Sequence, residues 1–298
     1  MFDFLKGGKA TVTVTLDRPT HTYYLGETMQ ATIEIQGQKD LKVMEARTQL
    51  VCREEYQYRY EGSSIGSDGD AETSTEKRWA TDEQVIQQQQ LLPEGTIPSG
   101  FNQTFDFIAS IPVDAPATCE SAKIVRVKWL LKAALVRRLA SDIEATIPIQ
   151  VLSAPVGSTD GTGEYGFSDE PDEAALSLEL PSLEWCLGDT VQGRLLVRPQ
   201  KVFDVSEVRV ELTRKEFVPR DEGNLFRETK AVKLAGRTRL QPGQEMVFPF
   251  SIVVPTTAPI TVRTRNSSVS WSLVGVLART LRRDTHAEQD IFIFSGRR

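Results

Sequence analysis

Apolar and polar positions alternate with a period of two along much of the chain. TVTVTL at 11–16, the set Phe105, Phe107, Ala109 and Ile111, and the set Val127, Trp129, Leu131, Ala133 and Leu135 each put every second side chain on one apolar face. The residues between them are mostly polar or small, which predicts strands with one buried and one wet face. Gly26-Glu27, Gly188-Asp189 and the Pro/Gly pairs near 98–100 and 242–243 read as turns between such strands. The segment TDEQVIQQQQLL at 81–92 would suit a short helix by composition. Its place opposite ETKAVKLAGRTRL in the internal repeat described next favours a strand instead. Alternation with short turns and little helical periodicity predicts antiparallel sheets packed face to face, an all-β sandwich.

The pattern occurs twice. TLDRP at 15–19 answers SLELP at 177–181, LGETMQATIEI at 25–35 answers LGDTVQGRLLV at 187–197, and VMEARTQL at 43–50 answers VSEVRVEL at 205–212, all at an offset of 162. Further on, FDFIASIPVDAPAT at 105–118 answers FPFSIVVPTTAPIT at 248–261 at an offset of 143, and VKWLLKAAL at 127–135 answers VSWSLVGVL at 269–277 at 142. Order is kept while the first half carries 19 more residues, so the chain is a duplicated domain with one long insertion. Pro112 and Pro116, like Pro255 and Pro259, offer no backbone N–H and are expected to end the same strand in each copy. Between the copies, SAPVGSTDGTGEYGFSDEPDE at 153–173 has the composition of an exposed linker, which Tyr165 and Phe167 would pin loosely.

Composition narrows the function. The 298 residues are 40% hydrophobic and 26% charged, enough for two domains that each bury a core. A net charge of −6 excludes a general nucleic-acid binder, which needs a basic surface. No apolar run reaches the length of a membrane span and MFDFLKGGKA lacks a signal-peptide core, so a cytoplasmic location is expected. Cys52, Cys119 and Cys186 lack CxxC spacing and read as buried reduced thiols.

FDFIASIPVDAP and FPFSIVVPTTAP, each closing on a proline-x-x-x-proline turn and followed by a tryptophan-centred strand and a final alternating strand, together resemble the arrestin fold. Bacterial sporulation-control-type proteins share this organisation, as does, more distantly, the arrestin-like subunit of retromer. The resemblance implies two tandem, duplicated antiparallel β-sandwich domains. They would occupy 1–152, with a polar insertion at about 59–79, and 174–298, with a linker at 153–173. It implies a non-enzymatic cytoplasmic adaptor or scaffold that needs no cofactor and works as a monomer or dimer. Such an adaptor would bind protein partners through loops and sheet faces, in sporulation, stress or trafficking-like regulation. The end at SGRR leaves no expected room for a displaceable tail, and no PPxY sequence is present, so receptor desensitisation is not implied.

Two places could receive a partner. The insertion YQYRYEGSSIGSDGDAETSTEKRW at 56–79 offers Tyr58, Tyr60, Ser63, Ile65, Asp68, Asp70 and Trp79, either as a recognition loop or as a tolerated polar insertion. The strand KIVRVKWLLKAALVRR leaves Arg126, Lys128, Lys132 and Arg138 on its polar face, either as a carboxylate- or phosphate-binding row or as a solvated face. Phe2, Phe4, Leu5, Lys6 and Lys9 would either touch a membrane surface weakly or cover a sandwich edge. His21 and His286 fall near strand ends, and no G-x-S-x-G, P-loop, H-E-x-x-H or metal-ligand spacing accompanies them. The alternative to an adaptor is a structural protein polymerising through sheet edges or head-to-tail domains.

Overall fold

The structure, a computed structural model, describes residues 9–65, 71–155 and 162–297. Two compact units are present. One comprises Met1–Glu55, Ala80–Glu120 and Arg126–Ser153, the other Tyr56–Trp79, Ser121–Val125 and Ala154–Arg298. The division therefore departs from a boundary at 152, since 56–79 and 121–125 group with the second unit.

In the first repeat the strands are β1 (Ala10–Leu16), β2 (Thr22–Tyr24), β3 (Thr28–Gly37), β4 (Leu41–Val43), β5 (Glu45–Ile65), β6 (Ala71–Leu92), β7 (Gly95–Ile97), β8 (Asn102–Ser110), β9 (Val125–Val136) and β10 (Ile143–Leu152). In the second they are β11 (Gly163–Tyr165), β12 (Ala174–Leu180), β13 (Glu184–Cys186), β14 (Thr190–Pro199), β15 (Phe203–Val205), β16 (Glu207–Val218), β17 (Asn224–Ala235), β18 (Thr238–Leu240), β19 (Met246–Val253), β20 (Val262–Arg263), β21 (Ser268–Ala278) and β22 (Thr285–Phe294). No helix occurs among the described residues.

The same topology is built twice. Sheets β1-β3-β8 and β2-β10-β9-β5-β6 recur as β12-β14-β19 and β13-β22-β21-β16-β17, with β11 added beside β12 and β20 beside β21. Even the exceptional parallel pairings recur, β2 with β10 and β13 with β22. Alternation decides the cores: Met29, Ile33, Phe107, Trp129 and Leu131 fill the first, and Leu178, Leu195, Phe250 and Leu273 the second. Gly193 stands where the first repeat has Ala31, because a Cβ there would lie 2.7 Å from both Leu180 and Phe250.

The segment 81–92 is strand, as its place in the repeat implies. Its glutamines also close an edge. Gln87 donates to the Ile108 carbonyl at 2.6 Å and accepts from the Ser110 N–H at 3.3 Å, while Gln89 donates to the Asp106 carbonyl at 3.3 Å. These amides take the place of a neighbouring strand on the outer side of β8. In the second repeat the corresponding strand β19 carries Pro249, and Lys230 donates to the Val253 carbonyl at 3.4 Å.

The expected linker is only partly a linker. Residues 156–161 lie outside the described part, but Gly163–Tyr165 pairs with Leu178–Leu180 as a sheet strand. Glu164 meets Arg198 at 2.9 Å and Tyr165 packs against the second core, so local charge pairing and one aromatic anchor outweigh the polar composition. Phe167 does not anchor: it is 77% exposed.

Candidate functional site

The insertion is not a loop on the body of a sandwich. β5 and β6 are 21 and 22 residues long, against 12 each for β16 and β17, so the extra residues lengthen a hairpin into an arm. A two-stranded ribbon satisfies its backbone groups internally, so a polar sequence can stay extended there.

The root of the arm is held within the second unit. Tyr56 is 5% exposed, and Tyr56, Tyr58 and Tyr60 lie along one face with ring centroids 6.4 and 6.1 Å apart. Arg220 donates to the Tyr56 hydroxyl at 3.2 Å and lies 4.1 Å over the Tyr58 ring. Its hydrogen bond to Tyr56 raises the guanidinium pKa above the ordinary value. Asn224, buried, donates to the Gln57 carbonyl at 2.7 Å, and the Gln57 N–H donates to the Ile124 carbonyl at 2.9 Å. Farther out, Arg78 lies 4.2 Å over the Tyr60 ring, and the Tyr60 hydroxyl donates to Glu76, which raises the phenol pKa.

Beneath these contacts lies a buried charge. Glu216 is fully buried and one carboxylate oxygen accepts the N–H groups of Lys123 and Ile124, each at 2.8 Å. Arg214 lies 3.3 Å from the other oxygen, meets Glu228 at 2.9 Å and sits 5.1 Å from the Phe226 ring. A buried carboxylate needs such donors to remain charged. Sequence motifs pointed to neither residue, yet the alternation of VRVELTRKEFV puts Arg214 and Glu216 in phase with Val208, Val210 and Leu212. Charges on the core phase of a strand were the legible sign.

Of the residues expected in the recognition element, Tyr58 and Tyr60 belong to this aromatic row and Trp79 is 43% exposed on β6 near the arm's root. Ser63 and Ile65 lie on β5, whereas Asp68 and Asp70 fall outside the described residues. Nearby in sequence, the cross-strand pair Phe217 and Leu225 flanks the turn that carries Arg220, and the two are 43% and 58% exposed.

The basic row is different from its sequence pattern. Lys128 pairs with Glu55 at 3.0 Å and Lys132 with Glu83 at 2.7 Å, and Arg53 reaches the same Glu83 at 2.6 Å. Burial opposes ionisation of Glu83, but the bonds from Lys132 and Arg53 outweigh it and lower the carboxyl pKa. Strand β9 ends at Val136, so Arg138 is an exposed loop residue rather than a member of the row; Asp142 caps the Arg137 N–H at 2.9 Å and turns the chain there. Arg126 remains on the strand. The lysines thus belong to a cross-strand charge ladder.

Other chemistry is sparse. All three cysteines are buried and free, and burial pushes the Cys52 thiol up to about 12. His286 lies 3.5 Å from Asp169, but Ser168 donates to the Ala174 carbonyl, so the trio is a tether for the segment before β12. Among the described residues no group of metal-ligating side chains forms. Residues Phe2, Phe4, Leu5 and Lys6 lie outside the described part.

The family model described as arrestin (or S-antigen), C-terminal domain, matches residues 7–156, half of the chain. The chain belongs to the arrestin superfamily. A second model, SpoOM protein, matches residues 172–278, so this arrestin-fold chain has a sporulation-control-type relative in its second half. Each match falls on one copy of the repeated sandwich, as the shared topology requires. No curated protein matches the chain. Arrestin-like proteins bind protein partners and are generally non-enzymatic, which places this arrestin relative among regulatory or adaptor-type proteins. No helix among its described residues is long and apolar enough to cross a membrane.

Proposed function

We propose that this protein is a non-enzymatic cytoplasmic adaptor that captures a protein partner on the β5–β6 arm. One observation carries the reading: the tyrosine row at the arm's root is fixed by Arg220, Asn224 and Ile124. Fixing the root costs the arm little further entropy on binding, and Tyr, Trp and Arg are the side chains that dominate protein interfaces. Partners in sporulation, stress or trafficking-like regulation fit the two family matches.

The test compares crosslinked partners captured in the native cell by the intact chain and by a chain with 61–78 replaced by Asn-Gly. Loop-closure entropy changes slowly with length, so the trimmed chain should stay folded, its loss confined to the exposed contacts that Glu76 and Arg78 make with Tyr60. Loss of the specific partners from the folded, trimmed chain is expected; unchanged capture overturns the arm as the site. The alternative, growth through sheet edges, is opposed by the glutamine bonds on β8 and by Pro249 on β19.

A further inference from the structure

The outer face of sheet β1-β3-β8 differs in kind from its counterpart in the second repeat. Register aligns three rows across the strands: Thr13, Glu34 and Thr104; Thr15, Thr32 and Asp106; and Asp17, Gln30 and Ile108. No lysine or arginine occupies these positions. A cleft of about 260 Å³ opens over the last two rows, lined by Thr15, Asp17, Gln30, Thr32, Asp106 and Ile108. Among the described residues, the Asp106 side chain has neither a hydrogen bond nor an ion pair; Asp17 accepts from the Tyr23 hydroxyl at 2.5 Å.

In the second repeat the same positions are closed. Arg194 stands where the first repeat has Thr32 and donates at 3.0 Å to Glu179, which faces it across the strands as Thr15 faces Thr32. Arg198, the counterpart of Gln36, meets Glu164 at 2.9 Å and Glu245 at 2.7 Å. Pro249 replaces Asp106. One copy of the duplicated face thus supplies its own cations, while each row of the other holds one carboxylate and no cation: Glu34 accepts from Gln36 at 2.7 Å, Asp17 from Tyr23, and Asp106 is left for an outside donor.

We propose that this face of the first unit docks an extended basic segment of a partner protein, with lysine or arginine at alternate positions. Successive rows are about 7 Å apart along the strands, the spacing of alternate residues in an extended chain. Each cation would then meet one carboxylate, with Thr15 and Thr32 hydroxyls and the Ile108 side chain contacting the intervening residues. The surface is separate from the arm and does not depend on it.

The experiment uses the full chain and a fluorescent peptide of alternating lysine and serine, followed by anisotropy between roughly 50 and 500 mM salt. Binding that weakens with salt is expected. Thr32→Arg, which installs the second repeat's own cation, and Asp106→Asn should each weaken it by about two- to fivefold, the upper scale of one exposed charge pair. Gln192→Arg, which makes the same net charge change as Thr32→Arg on the second repeat, should change it by less than about twofold. Thermal unfolding confirms that the variants are folded, and if Thr32→Arg is not, Asp106→Asn carries the test. Absence of binding at low salt, equal loss in all three variants, or no loss in the folded first-repeat variants overturns the proposal. A chain trimmed at 61–78 should bind the peptide normally, so failure of the arm reading leaves this one intact.

Discussion

Trp129 donates its indole N–H to the carbonyl oxygen of Pro116 at 2.9 Å. The second repeat makes the same bond from Trp271 to Pro259 at 3.0 Å. The two tryptophans are 1% and 6% exposed, so each indole fills a core while its one polar atom ties down the turn that ends the preceding strand. The strands themselves end at Ser110 and Val253, just before Pro112 and Pro255, and the second proline of each turn offers the carbonyl that accepts.

Replacing either tryptophan by alanine should cost about 3–5 kcal/mol in chemical denaturation, the range for a large aromatic truncation. Phenylalanine should recover part of the loss but leave the proline carbonyl unpaired, at about 1–3 kcal/mol. Wild-type stability in either alanine variant would contradict the equivalence of the two cores.

Glu216→Ala should release segment 121–125 from the second unit. It removes the acceptor for the Lys123 and Ile124 N–H groups and leaves Arg214 buried beside a hole. Breaking one partner of a buried pair costs about 3–5 kcal/mol. Hydrogen exchange should quicken at the Lys123 and Ile124 amides more than at Val127, whose N–H bonds to Cys119. Uniform quickening would show that Glu216 supports the whole unit and not this segment.

The double variant Gln87→Ala, Gln89→Ala removes three side-chain hydrogen bonds and should lose about 1.5–4.5 kcal/mol, since each is worth about 0.5–1.5 kcal/mol net. Its larger effect should be concentration-dependent association, seen by light scattering, because β8 becomes an open edge. A strictly unchanged oligomeric state would mean the amides do not guard that edge.

Glu83 gives a small acid-side signature. Its folded carboxyl pKa lies below the ordinary value, so its stabilisation is present above the unfolded pKa and lost as pH falls through the folded one. About a third of the side chain is exposed, which limits the contribution to about 1 kcal/mol or less. Glu83→Gln should therefore be slightly less stable at neutral pH and match the parent at the acid end of the titration. A constant difference at all pH values would assign the loss to packing instead of charge.

By itself the sequence determined the duplication, the strands and the two cores, because period-two alternation is a local property and the shared motifs repeat in order; the pairing showed that β12 sits two residues out of the motif alignment, with Glu179 and not Ser177 facing Arg194. It also placed 81–92 as a strand through its position in the repeat, against its composition. What tertiary structure alone decided were the partners of charges. Lys128 and Lys132 look like an open basic row until β5 and β6 bring Glu55 and Glu83 beside them, and Arg138 leaves that row because the strand ends at Val136. Glu164 lies in a linker-like stretch, yet Arg198 from a distant strand draws it into a sheet. The fate of the arm was settled the same way: its tyrosines are visible in the chain, but Arg220 and Asn224, more than 160 positions away, hold them. A charge's energy depends on what lies within a few ångströms, and for a sheet protein those neighbours come from far along the chain.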